Sequence, residues 1–290
     1  MSRVKPLLKG KVVIITGAAG GIGQAVARLF AKQGASMVLT DIRMSELERL
    51  GKALSKSGTE PLLVTHDVTD SHSWEFLMDK TLNVFGKLDV VVNNAGVVQP
   101  GIAEMLSLKK TNQQVSVNLM GTIHGCQAAL RVMKVQNFGK IINVASLGGI
   151  VPMPGEAVYS ATKFAIRGYS FSLYAELTDS PVGISVVCSD SVETPQLAFE
   201  LLHDEAILSF IGSPLKPDQV ARGILKAIFK DKPEILIPAW MGILSRLGMA
   251  FPKTFFVLFP VLKWIGVRTM RKRREEEKKN GHVTFYCGDL

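Results

Sequence analysis

Short β-branched runs alternate with segments whose apolar residues recur every three or four positions, from residue 11 to residue 237. The run KVVIIT at 11–16 predicts a fully buried strand, because helices cover both faces of a parallel sheet. Over 21–34, Ile22, Val26, Leu29 and Phe30 fall at helical spacing. The same reading predicts strands at 36–40, 62–65, 90–92, 140–144, 184–188 and 235–237. It predicts helices at 45–57, 71–85, 113–133, 158–177 and 217–229. Strands and helices in this alternation predict an α/β fold, a single doubly wound Rossmann-type domain with a seven-stranded parallel sheet. Right-handed crossovers then place the C-terminal end of every strand on one edge, where ligands bind.

After Pro238 the pattern changes. Residues 241–271 are apolar with sparse lysines and arginines, and prolines stand at Pro252 and Pro260. The uninterrupted apolar run, 254–262, is too short to span a membrane, which takes about 20 residues. A C-terminal helical extension is expected, packed on the domain, lying on a membrane, or both. The chain thus divides into a domain at 1–238 and an apolar and basic extension with its tail at 239–290.

The chain's 290 residues are 47% hydrophobic and 20% charged, which suits a buried core and argues against wholesale disorder. The net charge of +9 permits acidic partners. Much of it sits at 268–279, where seven basic residues stand against three acids, so the body is only mildly basic. No groove-reading motif is present, and nucleic acid is not an expected partner. Cys126, Cys188 and Cys287 are odd in number and far apart, and the five histidines are scattered. They suggest neither a disulfide framework nor a metal site, and fit a reducing compartment. The start, MSRVKPLLKGK, lacks the apolar core of a signal peptide, so a cytoplasmic location is expected.

Against this background the chemistry-bearing motifs stand out. Gly17, Gly21 and Gly23 follow the first strand and open a helix. Gly17 allows a tight turn, Gly21 a close backbone approach to a pyrophosphate, and Gly23 close helix–strand packing. The free N–H groups and positive end of the helix favour an anion. The spacing is G-x-x-x-G-x-G, and a glycine-rich turn without ligand would show the same residues. Asp41 ends the second strand; a carboxylate there accepts hydrogen bonds from adenine-ribose hydroxyls and repels a 2′-phosphate, favouring NAD over NADP. Arg43 beside it could serve a phosphate, and Asp41 could instead cap the following helix. Tyr159 and Lys163 are one helical turn apart on one face. An ammonium at that distance favours the phenolate and makes the tyrosine a usable acid/base. Ser146, at the end of the fifth strand, can hydrogen-bond a carbonyl oxygen beside it, or simply cap a helix.

Together these pieces resemble a classical short-chain dehydrogenase/reductase over residues 8–238. They are TGAAGGIG with Ile22, the strand-end Asp41, Asp67-Val68, Asn93-Asn94-Ala95-Gly96, Asn118, Ser146 and Tyr159-x-x-x-Lys163. The resemblance implies a catalytic tetrad of Asn118, Ser146, Tyr159 and Lys163, and hydride transfer to or from a nicotinamide. Tyr159 would move the hydroxyl proton, Lys163 would also bond the nicotinamide ribose, and Asn118 would hold a relay water. It further implies Asp67 and Val68 at the adenine, Asn94 near its ribose, Ala95 and Gly96 in the cleft, and Val192 and Thr194 near the carboxamide or pyrophosphate. Asn93–Gly96 also suits a plain strand-end turn. Where the family has Pro-Gly after the sixth strand, this chain has Ser189-Asp190.

The segment after Thr194 is rich in apolar residues, among them Leu197, Phe199, Leu201, Ile207 and Phe210. The resemblance makes 190–216 a substrate lid, which implies an apolar substrate, a steroid, retinoid or lipid-like alcohol or carbonyl; as a helix packed on the core it implies nothing about substrate. Aromatics beside cations over 240–274 suit peripheral contact with anionic lipid, a dimer arm or a solvated tail. Family resemblance implies a homodimer or tetramer. Two other readings compete, a cofactor-binding scaffold without turnover and an epimerase or dehydratase; the glycine spacing fits the latter poorly.

Overall fold

The computed structural model describes residues 7–279; Cys287, His282 and the rest of the tail lie outside the described residues. Seven parallel strands form one sheet in the order β3-β2-β1-β4-β5-β6-β7. They are β1 (Val12–Thr16), β2 (Ser36–Asp41), β3 (Leu62–Thr65), β4 (Val90–Asn93), β5 (Gly139–Ser146), β6 (Val182–Ser189) and β7 (Glu234–Ile237). The order reverses between β1 and β4, which pair directly, Val13 with Val90 and Ile15 with Val92. Chains leaving neighbouring strands in opposite directions open a crevice at that point.

Apolar residues on successive strand positions sort into two layers, as the two-residue period of a strand requires. Val13, Ile15, Met37, Leu39, Val90 and Val92 pack beneath α1 (Gly21–Lys32), α2 (Met44–Ser55) and α8 (Pro217–Phe229). Ile14, Val38, Val91 and Ile141 pack on the other face, against α3 (Ser71–Phe85), α5 (Gly121–Gln136) and α6 (Ala157–Glu176). Every residue of β1 is buried. The predicted strands are all present, with β5 and β6 each longer at both ends than their apolar runs.

One predicted helix differs. The stretch 113–133 is read from periodicity as one helix, but the chain forms α4 (Leu108–Gln114), a π-helical turn at Val115–Met120, and then α5. The reason is polar. The Asn118 side chain accepts from Val97 N–H at 2.7 Å and donates to the Val97 carbonyl at 2.9 Å. Drawing that side chain inward is accommodated by a widened turn, a feature frequent at functional sites.

Beyond β7 the extension is helical, α9 (Ala239–Ala250) and α10 (Pro252–Lys279). Arg246 of α9 and Arg167 of α6 both pair with the buried carboxylate of Glu234, Arg167 at 2.6 Å. Trp240, Ile243, Leu244 and Leu247 occupy one face of α9, yet all four are more than half exposed. Among the described residues, no helix is long and apolar enough to cross a membrane.

Candidate active site

The glycine-rich turn lies between β1 and α1, at the crevice. Gly17 takes φ +62°, and a Cβ on it would stand 2.8 Å from the Ala95 Cα, so both conformation and space demand glycine. A Cβ on Gly21 would meet the Thr194 side chain at 2.6 Å, and one on Gly23 would lie 2.7 Å from the Ala18 Cα. Helix α1 starts from Gly20 with no side-chain cap. Its first N–H groups are therefore left for an anion. Ile22 is half-buried against the core under α1.

Thr16 and Asn94 tie the two halves of the sheet together at this point. Asn94 and Ala95 donate their backbone N–H groups to Thr16 Oγ1 at 3.0 and 3.1 Å. The Asn94 amide donates to the carbonyls of Thr16 at 2.9 Å and Gly17 at 3.2 Å. Asp41 reaches the turn from β2, accepting from Ala19 N–H at 3.1 Å. It also accepts from Arg43, at 3.1 Å from both its backbone N–H and its Nε. Asp41 therefore does not cap α2, whose cap position is Arg43. Asp67 is turned into its own loop, accepting from the Thr69 N–H at 2.9 Å and hydroxyl at 2.8 Å. Val68 is buried, and its carbonyl accepts from the Trp74 indole at 3.0 Å.

The remaining candidates meet where β5 ends and α6 begins. Ser146 is the last residue of β5, and its hydroxyl accepts from Gly148 N–H at 3.0 Å. Tyr159 lies in the first turn of α6, one turn before Lys163. The Lys163 ammonium is buried, 5.5 Å from the centre of the Tyr159 ring, and donates to the Val144 carbonyl at 3.1 Å. Asn118 donates to Thr162 Oγ1 at 3.2 Å, and Thr162 donates to the Tyr159 carbonyl at 2.7 Å. Gly96 closes the group: a Cβ there would stand 3.3 Å from Asn118 Oδ1 and 3.5 Å from Lys163 Nζ. All four tetrad candidates thus share one corner of the crevice.

The electrostatics of this corner differ from the sequence expectation. Burial pushes the Tyr159 phenol well above its ordinary range, and the Glu200 and Glu156 carboxyls push it further; only hydrogen bonding with Ser146 works the other way. Burial lowers the Lys163 ammonium to about 8. The lysine is in place, but the surrounding acids oppose a phenolate.

Those acids come from two segments, the start of α6 and the expected lid. Glu156 precedes α6, and Glu200 ends α7 (Pro195–Glu200); both are buried. The Ser209 hydroxyl sits 3.4 Å from a Glu156 oxygen, and Gln196 donates to Glu200 at 3.3 Å. Burial raises both carboxyls, Glu200 to about 7. Sequence reasoning passed over this pair and Thr16; the signal was a polar side chain inside an otherwise apolar stretch. Thr194 caps α7, accepting from Leu197 N–H at 3.4 Å, and Val192 pairs with Leu215 as an isolated parallel bridge. At the departure from Pro-Gly, Asp190 accepts from Ser191 N–H at 2.8 Å, and its backbone N–H donates to the Ile237 carbonyl at 2.8 Å. Burial raises its carboxyl above the ordinary value.

The segment 195–210, the expected lid, is covered by α10. Met270 is buried in a cluster with Leu197, Leu201, Ala206 and Phe210, and a Cβ on Gly266 would run into Ile207. Arg274 donates to the Leu201 carbonyl at 2.7 Å and pairs with Asp204 at 2.6 Å.

A crevice at the sheet's reversal point, with a glycine turn on one side and a Ser-Tyr-Lys-Asn corner on the other, matches one family. Residues 11–203 match the short chain dehydrogenase model, and the chain belongs to that family. It is an NAD(P)-dependent dehydrogenase or reductase of that class. It is 35% identical to 2,5-dichloro-2,5-cyclohexadiene-1,4-diol dehydrogenase of Sphingobium indicum over 75% of this chain and 88% of that protein. It is 32% identical to the 3-oxoacyl-(acyl-carrier-protein) reductase of Thermotoga maritima, over 75% of this chain and 90% of that protein. The structure resembles that of a short chain dehydrogenase/reductase from Burkholderia phymatum in complex with NAD. There the TM-score is 0.78 and the identity 29%, covering 85% of this chain and 95% of that one.

Proposed function

We propose that the protein transfers a hydride between NAD and a hydrophobic alcohol or carbonyl, with Tyr159 giving or taking the hydroxyl proton. The observation that carries this reading is the corner itself, with Ser146, Tyr159, Lys163 and Asn118 fixed by β5, α6 and the π-helical turn. The cradle suits a dinucleotide, since Gly17 admits no side chain and α1 presents uncapped N–H groups. When bound, the nicotinamide supplies the hydride acceptor or donor.

This chain's residues do the rest. Tyr159, protonated at neutral pH, protonates the oxygen of a carbonyl undergoing reduction. Ser146 holds that oxygen beside it and stabilises its developing charge. In the oxidising direction Lys163 supplies the positive charge that favours the phenolate against the nearby acids. Asn118 is braced against the Val97 backbone on one side and Thr162 on the other, a placement suited to holding a water for proton exchange. Asp41, buried at the end of β2, favours a free ribose hydroxyl and hence NAD over NADP, although Arg43 beside it offers a cation. Gly17, Gly21, Ile22 and Gly23 would line the phosphates; Asn94, Ala95 and Gly96 the ribose side; Asp67 and Val68 the adenine; Val192 and Thr194 the carboxamide end.

Leu197, Leu201 and Phe210 pack against Met270 of α10, so a hydrophobic substrate of steroid, retinoid or lipid type is supported by the exposed apolar extension beside the 195–210 segment rather than by the segment's own apolar residues. A homodimer or tetramer through the helices after β4 and β5, and peripheral contact of 240–274 with a membrane, complete the reading. The test is absorbance of reduced nicotinamide with NAD or NADP and a panel of steroid, retinoid and long-chain alcohols, wild type beside Tyr159→Phe. Turnover with NAD by wild type alone supports the assignment. Equal turnover by the variant overturns it.

A further inference from the structure

Helices α9 and α10 present their apolar side chains to solvent. On α9 the exposed residues Trp240, Ile243, Leu244 and Leu247 form one stripe, continued by Phe251 after the helix end. On α10, Phe256, Val257, Leu258, Val261 and Trp264 are each more than half exposed. A contiguous apolar surface of this kind marks an interaction site. The charges choose between occupants. Residues 239–274 contain eight basic residues and no acid. A second copy meeting this face about a two-fold axis would set like charge against like. An anionic lipid surface meets both features at once, the apolar stripe entering the acyl boundary and the cations facing headgroups.

The other end of the same helix holds the lid. Over 266–274, α10 is built onto the 195–210 segment through Gly266, Met270, Arg273 and Arg274. Arg274 is the polar pin, bonded to the Leu201 carbonyl at 2.7 Å and to Asp204 at 2.6 Å, while Arg273 stacks on Phe210. One continuous helix, interrupted only by Pro260, therefore joins the exposed apolar surface to the cover of the active site.

We infer that α10 couples docking on an anionic lipid surface to the lid, so that docking steadies the lid over the crevice and sets its mouth at the interface. This rests on the membrane contact proposed above and adds a route from that contact to the active site. An interfacial helix is restrained along its length. A lid pinned to it loses freedom when the helix docks, whereas a lid merely adjacent to it does not.

The experiment uses the full chain with vesicles of phosphatidylcholine alone and with phosphatidylserine added. Flotation measures docking. Brominated lipid reads its geometry through tryptophan emission, because Trp240 and Trp264 are exposed while Trp74 is buried. Hydrogen exchange of residues 195–211 reads the lid without needing a substrate. The expected result is flotation with the anionic vesicles, quenching of the two exposed tryptophans, and lid exchange slowed at least about three-fold in wild type. Arg274→Ala, which removes a guanidinium already paired with Asp204 and leaves the other seven cations in place, should float nearly as well but lose the slowing. Asp204→Ala, at an exposed position, removes the same ion pair from the lid side and should lose part of it. Absence of flotation overturns the docking reading and the coupling with it. Docking without slowing, or equal slowing in Arg274→Ala, overturns the coupling and leaves docking standing.

Discussion

The sheet edge and the C-terminal extension handle the same kind of residue in opposite ways. In the sheet, Val38 and Leu39 are fully buried, each against its own layer of helices. In α9, Leu244 and Leu247 are three positions apart on one helical face and are exposed to solvent. Amphipathic periodicity identifies a face; it does not say what covers that face. Polar residues invert in the same way. At the sheet edge Asn118 and Lys163 are buried and bonded to backbone carbonyls, whereas Arg271 and Lys272 of α10 are exposed. The domain stores its chemistry inside, and the extension displays its chemistry outward.

The largest expected effect lies at the buried corner. Tyr159→Phe removes the hydroxyl proposed to transfer the proton and should lower kcat by about 10²–10⁴-fold with thermal stability little changed. The pH profile sharpens the assignment. Burial lowers the Lys163 ammonium to about 8 and, with Glu200 and Glu156, holds the Tyr159 phenol well above its ordinary range. Oxidation uses the Tyr159 phenolate, so its kcat/KM should climb with pH without levelling near 8, because the phenol is still protonated there. Reduction uses the protonated phenol and should hold through neutral pH. A flat profile in oxidation would remove Tyr159 from the proton transfer.

Next in size is the core side of the comparison. Leu39→Ala deletes a fully buried side chain of a central strand and should cost about 2–5 kcal/mol in urea unfolding. A loss below about 1 kcal/mol would mean that the layer beneath α1 and α2 relaxes far more than close packing permits.

Much of this architecture was legible in the sequence, for a physical reason. A strand covered on both faces must be apolar throughout, and KVVIIT, VVV and ISVVC announce themselves. The glycine turn, Ser146, Tyr159 and Lys163 were legible because their chemistry fixes both type and spacing. What stayed hidden depends on distant partners. The π-helical turn at Asn118 follows from a bond to Val97, which periodicity over 113–133 cannot register. The height to which the Tyr159 phenol is raised depends on Glu156 and Glu200, which are 44 positions apart and meet only in the fold. The choice among packed, exposed and membrane-facing helices after Pro238 depended on what the folded domain left uncovered.

The Glu156–Glu200 pair gives a third test, in which the buried region should behave against habit. Glu200 is raised to about 7 by burial, so between the ordinary carboxyl value and about 7 the folded chain binds more protons than the unfolded one. Stability contributed by this group is therefore full at acid pH and is lost as pH rises through that window. Glu200→Gln removes the ionisation. It should raise stability above pH 7 by on the order of 2 kcal/mol and flatten the slope below it. Loss of stability at pH 8 in the variant would show the ionised carboxylate to be satisfied by partners after all.

The smallest expected effect tests the extension and bears most directly on the contrast. Leu244→Ser with Leu247→Ser removes two side chains that are 58% and 60% exposed. Because water already covers most of each, the change in unfolding free energy should stay within about 0.5 kcal/mol per site, against several for Leu39→Ala. Helix propensity falls slightly, which sets the sign as a small loss. If these leucines serve lipid, the same variant should lose much of its flotation with anionic vesicles while catalysis of a water-soluble alcohol is unchanged. A large loss of stability would instead mean that the leucines are covered in solution by another protein surface. The extension would then be one more buried layer, and the contrast with the sheet would collapse.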